Sequence, residues 1–149
     1  VNHGFTKAAL FMSLGAFMLN TKNVYMNSLR GLGKSMPFTS AAFVVGGLSL
    51  IGVPGTAGFI SKWLLLEAAL ESGYWIVALL VIISSLFAVI YIWRIIEVLY
   101  FSENSESYGE VSVLTLTPIW ILSSFCIFFG INTSLTVDVA NIAAEILFK

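Results

Sequence analysis

The chain has 149 residues, 58% of them hydrophobic and 10% charged, with a formal net charge of −1. Soluble domains carry about 25% charged residues, so this composition excludes an ordinary soluble fold. The near-neutral charge gives no footing for nucleic acid. The single cysteine, Cys126, excludes an internal disulfide; within its apolar run it reads as a lipid-facing or packing residue. The chain is read as an integral membrane protein. It begins with Val1, its apolar run starts almost at once, and no signal-peptide pattern is visible. We expect a fragment whose N-terminal part is missing.

The first helix is expected from the start to about Leu19. His3 and Lys7 stand four residues apart and so share one helical face. Ala8, Ala9, Ser13, Gly15 and Ala16 are small enough for close helix–helix approach. The following loop, 20–37, carries Lys22, Arg30 and Lys34 and no acid, which places it on the cytoplasmic side.

From Phe38 to Leu70 the chain is apolar almost throughout. One straight helix of 33 residues would measure roughly 50 Å, against a hydrocarbon core of about 30 Å. Gly52, Pro54, Gly55 and Gly58 cluster in its middle, and proline has no N–H to donate. The spacing predicts two half-helices, about 38–51 and 58–70, joined by an unwound elbow at 52–58. Such backbone must be buried in protein or line a wet cavity. Lys62 falls in the first turns of the second half, a placement common in ion-handling transporters. The other reading is a plain span, Ala41–Ile60, with a proline kink and a snorkelling Lys62. The apolar run continuing through Trp63–Leu66 and Ala68–Leu70 favours the broken helix.

After the turn Glu71-Ser72-Gly73, a helix is expected over 74–101, with Arg94 and Glu97 spaced i,i+3 as an ion pair. Tyr91, Trp93, Tyr100 and Phe101 suit an interfacial aromatic belt. A polar loop with three glutamates, 102–110, leads to a helix over 113–131. The last segment, 135–148, places Leu135, Val139, Ile142 and Ile146 on one stripe, with Asp138, Asn141 and Glu145 off it. This amphipathic helix is expected to lie on the protein itself; an interfacial or partner-binding helix is the alternative.

No nucleophile elbow, phosphate loop, paired cysteine motif or metal-ligand set occurs in the chain, so neither metal nor cofactor binding is expected. His3, Lys7, Lys62 and Glu97 are left as titratable groups at membrane depth. An unpaired lysine at the bilayer centre costs about 2.5–3.5 kcal/mol on insertion scales, so each needs a partner or water. Burial disfavours a lysine's charged form and a carboxylate restores it, so a lysine with a changing environment can take up and release a proton. Histidine titrates near neutrality without such help. His3 and Lys7 read equally well as a proton-transfer step or, for His3, as packing near the chain's start. Arg94 and Glu97 read as a structural salt bridge.

These residues also carry a resemblance. His3-Gly4-Phe5-Thr6-Lys7-Ala8-Ala9-Leu10-Phe11 resembles the His-x-x-x-Lys-Ala-x-Leu-Phe stretch of the antiporter-like membrane subunits. Respiratory complex I and the multi-subunit Mrp cation/proton antiporters share these subunits. Leu29 to Pro37 is similar to the family's loop before its broken helix. Gly47 to Lys62 is similar to that helix, and the likeness extends through Trp93-Arg94-Ile95-Ile96-Glu97. Within the family the wording is nearest the D-type subunits of Mrp antiporters. The resemblance implies that the chain is the C-terminal fragment of one antiporter-like domain. Lys62 would sit on the discontinuous helix of its second inverted repeat, and His3 and Lys7 on a hydrophilic axis in the membrane plane. It also puts the loop 20–37 in the cytoplasm.

The resulting expectation is an all-α, multi-pass bundle in the cell (inner) membrane. It has four spanning helices, the second broken, plus a C-terminal amphipathic helix. Protons would move through His3, Lys7 and Lys62, coupled to Na⁺ or another monovalent cation. Arg94 and Glu97 would form a supporting pair. The partners would be other membrane subunits and the lipid bilayer; the chain would not be catalytic by itself. The first rival is a proton-pumping subunit of an NADH:quinone oxidoreductase-type complex. The second is a structural membrane scaffold.

Overall fold

A computed structural model describes residues 2–23, 25–102 and 108–147. Its regular structure is helical: α1 (Asn2–Thr21), α2 (Leu32–Ser35), α3 (Pro37–Ile51), α4 (Ala57–Glu71), α5 (Trp75–Phe101), α6 (Val113–Ile131) and α7 (Ser134–Leu147). Glu103 and Glu106 of the acidic loop, and the expected helix end at 148, lie outside the described residues.

Helices α1, α3 and α6 pack on one another and form the centre of the bundle. Small residues let them approach: Ala9, Ser13 and Ala16 on α1, Ala42 and Gly46 on α3, and Ser123 on α6 are all buried. Phe17 and Phe43 fill the space beside them, their rings 6.2 Å apart, in a cluster with Leu10, Leu32, Met36 and Leu99. Cys126 is fully buried, which makes it a packing residue and not a lipid-facing one. Helix α5 closes one side against α3 and α4. Its other side exposes Leu79, Leu80, Leu86, Phe87 and Ile90, a surface suited to lipid or neighbouring helices.

Helices α3 and α4 are the two parts of the long apolar run, and the backbone between them explains why it breaks. Gly52 and Gly55 have φ of 91° and 88°, a region that side-chain-bearing residues resist. The N–H groups of Gly52 and Val53 both turn back to the Leu48 carbonyl, closing α3. Thr56 then folds onto Val53, its N–H and hydroxyl both donating to the Val53 carbonyl. The halves pass very close: a Cβ on Gly58 would lie 1.7 Å from the Ser49 carbonyl oxygen. Helix α6 is equally tight against the elbow, since a Cβ on Gly130 would lie 2.3 Å from the Gly55 carbonyl oxygen.

Two helices, α5 and α6, are long and apolar enough by themselves to cross a membrane. Four spans were expected. Helix α1 is long enough but carries Asn2, His3, Thr6, Lys7 and Asn20. Helices α3 and α4, at 15 residues each, reach only about 22 Å apiece.

Three features depart from the expectations. A single turn, α2, forms inside the loop 20–37 and packs on α3 and α5. Glu110, read only as a loop acid, receives hydrogen bonds from the Phe38 and Thr39 N–H groups and from the Thr39 hydroxyl. It thus caps α3, whose own N-cap residue, Met36, supplies no side-chain bond. Helix α7 does not lay its apolar stripe on the chain: Val139, Ile142 and Ile146 are all exposed.

Candidate functional site

Lys62 stands in the second turn of α4, just past the break. It is half-buried, and its Nζ reaches back to the end of α3. It donates to the Leu50 and Ile51 carbonyl oxygens and to the Ser85 hydroxyl of α5, each at 2.9 Å. The two carbonyls are free because of the local sequence. In an unbroken helix Leu50 would accept from residue 54, but Pro54 has no N–H. Ile51 would accept from Gly55, whose backbone has left the helical region. The ammonium therefore satisfies the two acceptors that the break exposes, at the negative end of α3. No carboxylate among the described residues lies within ion-pair distance of it. The partner foreseen for such a lysine was a carboxylate; carbonyls and a hydroxyl take that place.

A ladder of polar side chains ties α1 to the elbow. The Asn2 amide donates to the Ala57 carbonyl at 3.3 Å and to the Ser61 hydroxyl at 3.1 Å. The Thr6 and Ser49 hydroxyls meet at 2.9 Å, and Ser49 Oγ accepts from the Gly58 N–H at 3.2 Å. Thr6 also touches Cys126 Sγ at 3.8 Å. These bonds hold the start of α4 against the end of α3; within the ladder Asn2 Oδ1 is buried without a hydrogen-bond partner among the described residues.

Lys62 and His3 line one cavity of about 250 Å³, whose wall also includes Thr6, Ser49, Ser61, Ser84 and Tyr91. Lys7 does not reach it. It lines a neighbouring cavity of about 220 Å³ with Phe43, Leu50 and Tyr91. Leu50 and Tyr91 are common to both walls. On its other side Lys62 borders an apolar groove of about 380 Å³ between α4 and α5, with Ser85 in its wall. His3 and Lys7 are exposed on this chain. Arg94 and Glu97 form an ion pair at 2.9 Å, with side chains 66% and 48% exposed, and line none of these cavities. Gly52 and Gly58 touch the site directly; Pro54 and Gly55 are exposed on the outer side of the elbow.

Sequence reasoning overlooked Asn2, Thr6, Ser49 and Ser85, and it read Tyr91, which lines both cavities, as part of an interfacial aromatic belt. A signal existed for the hydroxyls. Ser84 and Ser85 interrupt an otherwise apolar helix, and Ser49 lies among leucines and isoleucine. In a membrane helix such groups mark places where polar partners meet.

Comparison with known proteins bears on this arrangement. The transmembrane model of the NADH:quinone oxidoreductase/Mrp antiporter family matches residues 1–88. NADH-quinone oxidoreductase subunit N of Rhodospirillum rubrum is 35% identical over 146 residues, covering 93% of this chain and 30% of that protein. The provisionally named antiporter subunit mnhD2 of Staphylococcus saprophyticus is 34% identical over 143 residues, covering 96% of this chain and 27% of that protein. The chain thus spans less than a third of the length of these relatives. Among solved structures, a chain of the Mrp complex from Dietzia sp. DQ12-45-1b superimposes with a TM-score of 0.86. It is 21% identical, with 96% of this chain and 35% of that chain covered, and it speaks to the fold. The chain is a membrane protein and belongs to the NADH:quinone oxidoreductase/Mrp antiporter family.

Proposed function

We propose that the chain is the C-terminal part of a proton-conducting subunit of a multi-subunit monovalent cation/proton antiporter. Na⁺ is the proposed cation, and Lys62 is the group that gains and loses the proton. The observation that carries this reading is the seat of Lys62. A titratable ammonium rests on two carbonyls freed by a helix break and borders a cavity shared with His3. Half-helix ends of this kind handle monovalent cations and protons in transporters. Lys7 would continue the path, with Tyr91 between the two cavities. The exposed α1 face bearing His3 and Lys7 would be covered by the rest of the subunit or by partner subunits. In this topology α1, the α3–α4 pair, α5 and α6 each cross a cell (inner) membrane, and the loop 20–37 faces the cytoplasm. The Staphylococcus relative supports the antiporter reading. The fragment alone would transport nothing.

A second reading has its own support: the relatives include subunit N of an NADH-quinone oxidoreductase. There the same residues would pump protons driven by electron transfer in other subunits. One assay separates the two. The full-length subunit with its genomic neighbours is expressed in a host lacking Na⁺/H⁺ antiporters, and a proton gradient is imposed on everted vesicles. Na⁺-dependent collapse of the gradient, lost in Lys62→Ala, supports the antiporter. NADH-driven proton uptake that is indifferent to Na⁺ and lost in the same variant supports the oxidoreductase. Activity undiminished in Lys62→Ala contradicts both and leaves a scaffold.

A further inference from the structure

We infer that Ser85 is a positioning residue for Lys62, a hydroxyl that reverses its hydrogen bond when the lysine gives up its proton. This rests on the reading of Lys62 as the proton-carrying group.

The argument is one of donors and acceptors. An ammonium has three N–H donors and no acceptor. Among the described residues Lys62 Nζ uses all three, on Leu50 O, Ile51 O and Ser85 Oγ. When the N–H that bonds Ser85 turns to the cavity shared with His3 and passes its proton to a water there, that N–H bond breaks and the electron pair stays on nitrogen. The amine then has two donors and one lone pair. The two remaining N–H groups can keep the carbonyls, which can only accept. The lone pair needs a donor, and of the three partners only Ser85 has a proton to offer. The Ser85 hydroxyl currently donates to the Val81 carbonyl in the preceding turn at 3.1 Å. A rotation of its O–H from Val81 O to Lys62 Nζ satisfies the neutral amine without moving a heavy atom. Val81 O keeps the helical N–H bond it shares with that hydroxyl. Leu50, Ile51 and Ser85 together thus seat both protonation states, and Ser85 is the part of the seat that distinguishes them.

Other titratable groups near Lys62 cannot fill this role. From α1, His3 faces the shared cavity, and from α5, Tyr91 does so. From α6, Cys126 is turned toward Thr6. Helix α3 contributes no titratable side chain. None of these is a hydrogen-bond partner of Nζ among the described residues.

The test uses the full-length subunit in its purified complex, reconstituted in vesicles, with proton flux followed from pH 6 to 9.5. Ser85→Ala takes the third acceptor from the ammonium and the donor from the neutral amine, and the bond to the charged form is the stronger of the two. The midpoint of the pH–activity curve is expected to move downward by about half to one unit, the difference between the charge-assisted bond lost by the ammonium and the neutral bond lost by the amine. Ser85→Thr, which keeps the hydroxyl, is expected to restore the wild-type midpoint. If Ser85→Ala fails to assemble, Ser85→Cys carries the test: the near-isosteric thiol is a weaker acceptor and donor and gives a smaller downward shift. An unchanged midpoint in the assembled Ser85 variant overturns the inference, as does a purely vertical loss of rate. Should Lys62→Ala retain transport, the reading of Lys62 itself fails. Should Lys62→Ala abolish transport while Ser85→Ala keeps the wild-type curve, only the role of Ser85 fails.

Discussion

At the scale of single residues, the site depends on what is absent. Pro54 lacks an N–H, Gly52 and Gly55 lack the Cβ that would oppose their positive φ, and Gly58 lacks the Cβ that would enter the Ser49 carbonyl. Together these omissions expose the two carbonyls and bring Lys62 within reach of them. Gly58→Ala is expected to be severe. A contact of 1.7 Å is against backbone, so the two half-helices must move apart, at a cost of at least about 1–3 kcal/mol. A marked drop in the thermal midpoint of the solubilised full-length subunit, with loss of transport, is the expected result. A stable Gly58→Ala variant with normal activity would show that the halves are not held this closely. Lys62 and the glycine–proline cluster were legible in the sequence because a cation and helix breakers stand out in an apolar run. Thr6, Ser49 and Ser85 were less legible. Their hydroxyls are tolerated anywhere in a helix, and only the fold shows that Thr6 and Ser49, 43 positions apart, share a bond.

At the scale of elements, the interrupted α3–α4 pair could be read from its length and its glycines. What could not be read is how the ends are completed. The last carbonyls of α3 are taken by a lysine eleven and twelve residues on, and its first N–H groups by Glu110, more than seventy positions away. Cap rules look for a local Ser, Thr, Asp or Asn, and Met36 offers none. Glu110→Ala is expected to cost about 0.5–2 kcal/mol by uncapping α3. The expected readout is a lower thermal midpoint in detergent with near-normal transport in the surviving protein. No change in melting would mean that water serves the α3 N-terminus equally well. The stripe on α7 was legible as a helical period, but its place was not, because periodicity gives an apolar face and not what the face meets.

At the scale of the whole molecule, composition and apolar runs were enough to indicate a helical membrane protein. Helices α5 and α6 carry that signal by themselves. Helices α1, α3 and α4 hide theirs: Asn2, His3, Thr6, Lys7 and Asn20 interrupt α1, and the break leaves halves of only 15 residues each. Orientation is the proposal most exposed to test at this scale. With Lys22, Arg30 and Lys34 and no acid, the loop 20–37 is expected to face the cytoplasm. In a full-length Ser28→Cys variant, a membrane-impermeant thiol reagent should label position 28 in everted vesicles and leave it unlabelled in sealed cells. Labelling from outside the cell would reverse the topology.

The central claim is that Lys62 carries a proton and is not an anchor, and Lys62→Arg in the full-length complex tests it most directly. Arginine keeps the positive charge, the length to reach the Leu50 and Ile51 carbonyls, and the ability to snorkel, but it does not release its proton at any working pH. Proton flux in reconstituted vesicles is the measurement, with assembly checked on the same preparation. A proton-carrying Lys62 predicts an assembled complex whose coupled flux is lost in the arginine variant as fully as in Lys62→Ala. Full transport by the arginine variant would contradict it.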